Sequence, residues 1–275
     1  VAGPAAWYFH SGHREASASP SVSSAPSQVR ENPKAEPALP PRVSSHPDVV
    51  VADTASQRHL VIETAGSSPP VRTNLKDGLK YVFIPAGKFV MGCSPGDTEC
   101  DIDEKPPHAE QIANGFWLGQ TEVTQAAWKK VNNSDNPSHF KGDELPVESV
   151  DWSQATAYCQ AIGGRLPTER EWEYAARAGA AGSRYGALDA VAWYSANSGG
   201  TTHPVGLKQA NAFGLYDVLG NVWEWTSDNY NAVFVTVRGV SWHVFPKYVR
   251  ASFRGGRSPS NQSNDLGFRC VGELR

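Results

Sequence analysis

The chain has 275 residues and a formal net charge of −3, from 25 Lys and Arg against 28 Asp and Glu. That length holds one large domain or two small ones, and the near-neutral balance excludes the basic footprint of a nucleic-acid binder. Nine Trp, 25 Gly and 20 Pro favour a loop-rich fold of short elements and large aromatic anchors over a helical bundle.

Residues 1–14 begin with an apolar run, Val1 to Phe9, too short to span a bilayer. With Trp7 and Tyr8 followed by His10, His13 and Arg14, it reads as the end of a membrane anchor whose start lies upstream, or as a stray hydrophobic terminus. Residues 15–76 are rich in Ser, Pro and Ala and show no helical or strand period. Such a segment cannot bury enough surface to offset its ordering entropy and is expected to be a disordered linker. Its two β-rich runs, residues 49–51 and 59–62, are candidate isolated strands.

The folded domain is expected over residues 77–275, with its first element near Leu79. Tyr81-Val82-Phe83-Ile84 and Lys88-Phe89-Val90-Met91-Gly92 flank Pro85-Ala86-Gly87, which predicts a β-hairpin. In the loop of residues 97–108, Asp101, Asp103, Glu104 and His108 resemble a metal cluster. Pro106 and Pro107 constrain that loop without placing these side chains on one face, so it reads as solvated. Residues 115–123 predict a strand. Thr124 has N-cap chemistry for a helix over 125–131. A second helix carries Ala155, Cys159 and Ile162 on one face and ends at Gly163-Gly164, glycine being able to take a left-handed C-cap. Thr168 and Glu171 form a capping box for a third helix over 169–177, with Trp172 and Ala176 facing inward and Gly179 ending it. Glu169, Glu171 and Glu173 there complement the helix dipole.

Residues 214–225, Gly-Leu-Tyr-Asp-Val-Leu-Gly-Asn-Val-Trp-Glu-Trp, are the densest stretch of the chain. Gly220-Asn221 is a turn signal, and Trp223 and Trp225 alternate with Val222 and Glu224 as in a strand with one buried face. Asp217, Asn221 and Glu224 set hard oxygens around the turn, which suits calcium, but they fall short of the about 6–8 ligands that calcium takes. The competing reading is a buried double-Trp strand with Glu224 bonded to nearby amides. Residues 233–237 and 249–254 are further strand candidates. Arg238, Arg250, Arg254 and Arg269 are candidates to pair with acidic groups upstream.

The four cysteines are Cys93, Cys100, Cys159 and Cys270. The first two flank a Ser-Pro-Gly-Asp turn and could close a small loop, and the other two could staple the chain end to a helix. This layout fits two disulfides in an oxidising compartment, with four thiols in a cytoplasmic protein as the alternative. No CxxC is present, which argues against a zinc knuckle.

Ile84-Pro85-Ala86-Gly87-Lys88-Phe89-Val90-Met91-Gly92, Glu122-Val123-Thr124, residues 164–177, residues 214–225 and Gly267-Phe268-Arg269-Cys270 together resemble the sulfatase-modifying-factor family, founded on the formylglycine-generating enzymes. The resemblance implies an α+β, C-type-lectin-like fold with little regular secondary structure. It also implies a calcium site whose ligands carry over to Asp217, Gly220, Val222 and Glu224, with Asn197 a candidate for a second site and Asn221 a turn former. The family's enzymes oxidise a substrate cysteine with a copper-binding cysteine pair. The matching positions here are Val244 and Val249, and valine neither ligates a soft metal nor donates electrons. Val240 also replaces a glycine of the motif. Copper and formylglycine generation are therefore not expected, although an oxidase with altered active-site chemistry is the alternative function. The C-terminal segment also resembles the variable proteins of diversity-generating retroelements. That likeness implies a ligand- or protein-binding surface at His243, Val244, Phe245, Lys247, Tyr248, Phe253, Ser258, Ser260 and Ser263, exposed on a rigid scaffold. An extracytoplasmic or cell-surface location follows from the cysteine layout and the anchor reading. The partner expected is an unidentified protein or small molecule, and no nucleic acid.

Overall fold

A computed structural model describes residues 69–133 and 136–272. The anchor and most of the linker segment, including residues 49–51 and 59–62, lie outside the described residues. Order begins ahead of the expected boundary: β1 (Val71–Thr73) already pairs antiparallel with β2 (Lys80–Ile84).

The five-stranded sheet runs in the order β1, β2, β5 (Phe116–Gly119), β13 (Val271–Gly272), β6 (Gly164–Arg165). The last strand thus lies between two earlier ones, with Val271 opposite Leu118 on one side and Arg165 on the other. Gly164 permits this insertion, because a Cβ there would lie 2.0 Å from the Val271 carbonyl oxygen. The expected hairpin does not form. β3 (Gly87–Met91) pairs with β4 (His108–Ile112) instead, because the edge of β2 that a hairpin would use is taken by β5.

A four-stranded sheet has the order β11 (Arg254–Arg257), β10 (Val235–Arg238), β9 (Trp223–Asn229), β12 (Leu266–Gly267). β9 is the dense stretch's strand. Its first four residues are buried on both faces, not one, because it is central in this sheet and Glu224 points at buried partners. The expected strand over 249–254 is irregular backbone, and β11 begins only at Arg254. β7 (Ala192–Trp193) and β8 (Leu219–Gly220) form a short parallel pair.

The helices follow their caps. α1 (Gln125–Asn132) starts at Thr124, whose hydroxyl accepts from the Ala127 N–H. α2 (Trp152–Ala161) has an Asp151–Gln154 capping box, and Gly163 follows it at φ +84°. α3 (Glu169–Arg177) has the Thr168–Glu171 box and buries Trp172 and Ala176. A short helix, α4 (Leu188–Val191), precedes β7. Cys159 of α2 is disulfide-bonded to Cys270, and Cys93 to Cys100. One apolar cluster joins α1, α2 and the four-stranded sheet around Trp128, Tyr158, Trp225 and Phe268. A second lies between β2, β5 and α3 around Ile84, Leu118 and Trp172.

Candidate functional site

The segment of residues 239–265 connects β10 to β12 and contains, besides β11, almost no repetitive backbone bonding. Its buried carbonyls therefore need partners from side chains. Three arginines supply them. Arg184 donates to the Val249 and Pro246 carbonyls at 2.5 and 2.9 Å. Arg238 donates to those of Ala251, Ser252 and Phe253 at 3.0, 2.7 and 3.0 Å. Arg250 donates to the carbonyls of Lys247 at 2.9 Å and Glu99 at 3.0 Å.

Arg238 and Arg250, and with them Arg254 and Arg269, are each matched by a carboxylate from an earlier element. Arg238 pairs with Glu173 and lies over the Trp172 ring. Arg250 forks onto both oxygens of Glu104, at 2.7 Å on Oε1. Arg254 forks onto Glu169 at 2.7 and 2.5 Å. Arg269 forks onto Glu224 at 2.8 and 2.7 Å. All four arginines thus pair as expected. Their partners correct two readings: Glu104 is a buried anchor and not part of a solvated loop, and Glu173 bonds Arg177 and Arg238 from within the core. Burial pushes the Glu104 carboxyl up, but bonds from Arg250, Ser252 and the Asp101 backbone outweigh it and hold it below its ordinary value.

On this frame the sequence-predicted binding residues divide. Phe245 is 66% exposed. Lys247 and Ser260 are also exposed, and His243, Tyr248, Ser258 and Ser263 are half-buried. Val244 and Phe253 are buried, contrary to the expected exposure. Phe253 packs between Tyr248 and Trp223, with ring centroids at 4.9 and 5.9 Å. Val249 is fully buried as well. Val240 holds φ +61°, the left-handed conformation that a glycine takes without strain, so the backbone bend persists although the side chain changed. Beside the exposed edge, Asp265 is buried, accepts from Ser241 at 3.3 Å and from Ser263, and lies 3.7 Å from His243 Nδ1. Ser241 and Asp265 carried no periodic or spacing signal.

The calcium reading meets a second constellation. Asp217 is buried at φ +52°; its Oδ2 accepts from the Gly206 N–H at 2.6 Å, and its Oδ1 is buried with no hydrogen-bond partner. Gly220 makes the turn at φ +85°, where a Cβ would lie 2.2 Å from the Trp193 carbonyl oxygen, and Val222 is buried. Asn221 is a turn former at φ +58°, accepting from the His203 N–H at 2.9 Å. Glu224 does not fit a metal-ligand role here, since Arg269 takes both its oxygens and the Trp172 indole N–H adds a bond at 2.8 Å. Asn197 uses both ends of its amide in a turn, accepting from Tyr194 N at 2.9 Å and donating to the Ala192 carbonyl at 3.0 Å. No three His, Cys, Asp or Glu side chains among the described residues converge on one metal position. Glu122 completes the acidic group, with Oε2 3.4 Å from the Asn221 amide and Oε1 buried without a hydrogen-bond partner. Burial first, then the Asp217 charge, pushes Glu122 well above the ordinary carboxylate range, and burial pushes Asp217 up to about 6.

The two sheets, the peripheral helices and the long segments between them make a C-type-lectin-like domain. Residues 68–274 match the sulfatase-modifying factor enzyme 1-like domain, and the chain belongs to that family. A Bos taurus relative named inactive C-alpha-formylglycine-generating enzyme 2 is 37% identical over 179 residues, covering 57% of this chain and 58% of the relative. A formylglycine-generating enzyme from Streptomyces coelicolor is 34% identical over 200 residues, covering 58% and 61%. The matches thus span about three-fifths of these relatives' lengths. Among solved structures, PvdO from Pseudomonas aeruginosa superposes with a TM-score of 0.68 at 28% identity, covering 76% of this chain and all of PvdO. Treponema denticola variable protein 1 gives 0.67 at 27%, with 76% of this chain and all of that protein covered.

Proposed function

We propose that this domain is a non-catalytic member of its family that binds a protein or small-molecule ligand through the exposed part of residues 243–263. The observation that carries the reading is at Val244 and Val249. Both are buried aliphatic side chains at the positions that match the family's copper-binding cysteines. All four cysteines of the chain are in disulfides, so none is available as a thiolate ligand or electron donor. The bovine relative's designation as inactive supports the same reading. The likeness to a treponemal variable protein supports use of the C-terminal segment as a diversified binding surface. The disulfides favour an extracytoplasmic or cell-surface setting.

The catalytic half of this reading is tested by incubating the purified chain with copper, dioxygen and a cysteine-containing sulfatase peptide, then assaying for aldehyde by mass spectrometry. No product is expected, and turnover would establish the oxidase alternative. The binding half is tested in the DNA flanking the gene. A reverse-transcriptase gene and a near-copy of the coding segment for residues 237–267, differing mainly at adenines, are expected. The absence of both would refute diversification.

A further inference from the structure

The two disulfides differ in their surroundings. Cys159 and Cys270 are 0% and 1% exposed and lie within the larger apolar cluster. Cys93 and Cys100, seven positions apart, close a small loop. Cys93 is half-buried, and the loop runs through the exposed Pro95, Gly96, Thr98 and Glu99. Cys100 is buried and has a cation beside it, since Arg250 Nη1 donates to Cys100 Sγ at 3.5 Å. The same guanidinium donates to the Glu99 carbonyl at 3.0 Å, forks onto Glu104 and lies 3.6 Å from Asp97 Oδ2. Cys93 is tied to this group as well, its N–H donating to the Glu104 carbonyl at 2.8 Å. Inside the loop the bonds are local, from the Asp97 N–H to the Ser94 carbonyl at 3.1 Å and from the Glu99 N–H to Asp97 Oδ1 at 2.9 Å.

This arrangement separates the two sulfurs by role. A dithiol attacks a disulfide as its thiolate, and the departing sulfur leaves faster the better its negative charge is stabilised. Cys93 is the more open residue of the pair, and Cys100 has the neighbouring guanidinium, the setting that favours a thiolate. We propose that Cys93–Cys100 is a redox site that exchanges with a dithiol reductant, and that its state sets how firmly residues 246–253 are held. The incoming thiolate forms a mixed disulfide with Cys93 Sγ as the Cys93–Cys100 bond breaks, and Cys100 leaves as a thiolate beside Arg250. The reductant's second thiol then gives its proton to Cys93 Sγ and attacks the reductant's other sulfur, which frees Cys93 as a thiol. Two electrons pass to the protein, and the reductant ends as its own disulfide.

Arg250 carries the change to the surface segment. In the oxidised form its Nη1 is shared between Glu104 and a disulfide sulfur, which is a weak acceptor. In the reduced form that second acceptor is an anion. Glu104 and Cys100 then compete for one nitrogen, and the loop that holds both has lost its cross-link. The Lys247 carbonyl, which accepts from Arg250 Nε at 2.9 Å, depends on the same guanidinium. As a regulator of binding, the pair rests on the reading of this segment proposed above; as a clasp on the segment, it is observed without a ligand. The thiolate exists only in the reduced form, so the oxidised chain keeps no free sulfur.

The test uses the full chain and graded dithiothreitol at neutral pH, followed by alkylation with iodoacetamide and peptide mapping by mass spectrometry. Cys93 and Cys100 are expected to be labelled at concentrations that leave Cys159–Cys270 intact. At such a concentration, hydrogen exchange of the bonded amides of Val249, Arg250, Ala251 and Phe253 should quicken at least about tenfold, with the amides of α1 unchanged. Cys93→Ser combined with Cys100→Ser removes the bridge but supplies no thiolate, and its rise in exchange should be smaller than that of the reduced wild type. Reduction of both bridges together would overturn the proposal. So would unchanged exchange in residues 249–253, or an equal rise in α1. An equal rise in the serine variant would overturn the part given to the Cys100 thiolate. No readout here involves a ligand, so failure of the clasp leaves the binding reading standing, and failure to find binding leaves the clasp standing.

Discussion

Arg250→Met is the sharpest test of the arginine frame. The substitution keeps an apolar stem but removes the fork that Glu104 receives from a residue 146 positions away. It leaves a carboxylate that is 3% exposed without its cation, and it frees the Lys247 and Glu99 carbonyls. Breaking a buried pair from one side costs about 3–5 kcal/mol. At about 2–4 °C per kcal/mol for a domain of this size, Tm should fall by roughly 6–20 °C. Glu104→Gln combined with Arg250→Met removes the stranded charge and should recover more than half of that loss, giving a coupling energy above about 1 kcal/mol. The pH profile supplies the sign. Glu104 sits below its ordinary value when folded, so its contribution is present above the unfolded pKa of about 4.3 and is lost as pH falls through the lower folded value. Wild type should therefore lose stability relative to the double variant across that acid range. Thermal unfolding of the four chains at neutral and acid pH measures all of this. A single-variant loss below about 1 kcal/mol, or no coupling, would refute the claim that these forks hold the segment.

Three further outcomes follow from the geometry. The Cys159–Cys270 bridge spans 111 residues and Cys93–Cys100 only 7, so loop entropy predicts that replacing the first pair by alanine costs about 4–5 kcal/mol and the second about 2 kcal/mol; denaturant unfolding compares them, and an equal loss would contradict the entropic account. Phe253→Ala should cost about 3–5 kcal/mol, whereas Phe245→Ala should stay within about 0.5 kcal/mol; a large loss at Phe245 would place that ring in the core. Gly164→Ala pushes a methyl into the Val271 carbonyl and should destabilise by at least about 1–3 kcal/mol; normal stability would mean that β13 can shift away from β6.

What the sequence disclosed is what its local chemistry determines. The Thr168–Glu171 box and the inward Trp172 and Ala176 mark α3, and both disulfides follow from cysteine placement. Pairing between distant segments left no such trace. The residues of β2 and β3 read as a hairpin because they are β-rich and separated by a turn, yet their partners are β5 and β4. Glu104 read as solvated because its partner, Arg250, lies far along the chain. Val244 and Phe253 could not be told from Phe245 in an irregular segment, where no period separates inside from outside. Glu122 follows the polar Gln120 and Thr121, so no local pattern marked its carboxylate as buried.

The placement of the arginines bears on how such a surface could tolerate change. Between Pro246 and Phe253 the segment is held largely by its main-chain carbonyls, through Arg184, Arg238 and Arg250. A carbonyl is the same whatever side chain its residue carries. The shape of the segment is thus set by cations, two of which, Arg238 and Arg250, are held by carboxylates from α3 and the loop before β4, and not by the identity of Phe245 or Lys247. A surface built this way can exchange its exposed side chains without rebuilding its backbone, as long as the guanidiniums and the buried Val244, Val249 and Phe253 remain. A binding role therefore places different demands on neighbouring positions, with chemistry free to change at the exposed ones and volume and charge fixed one residue away.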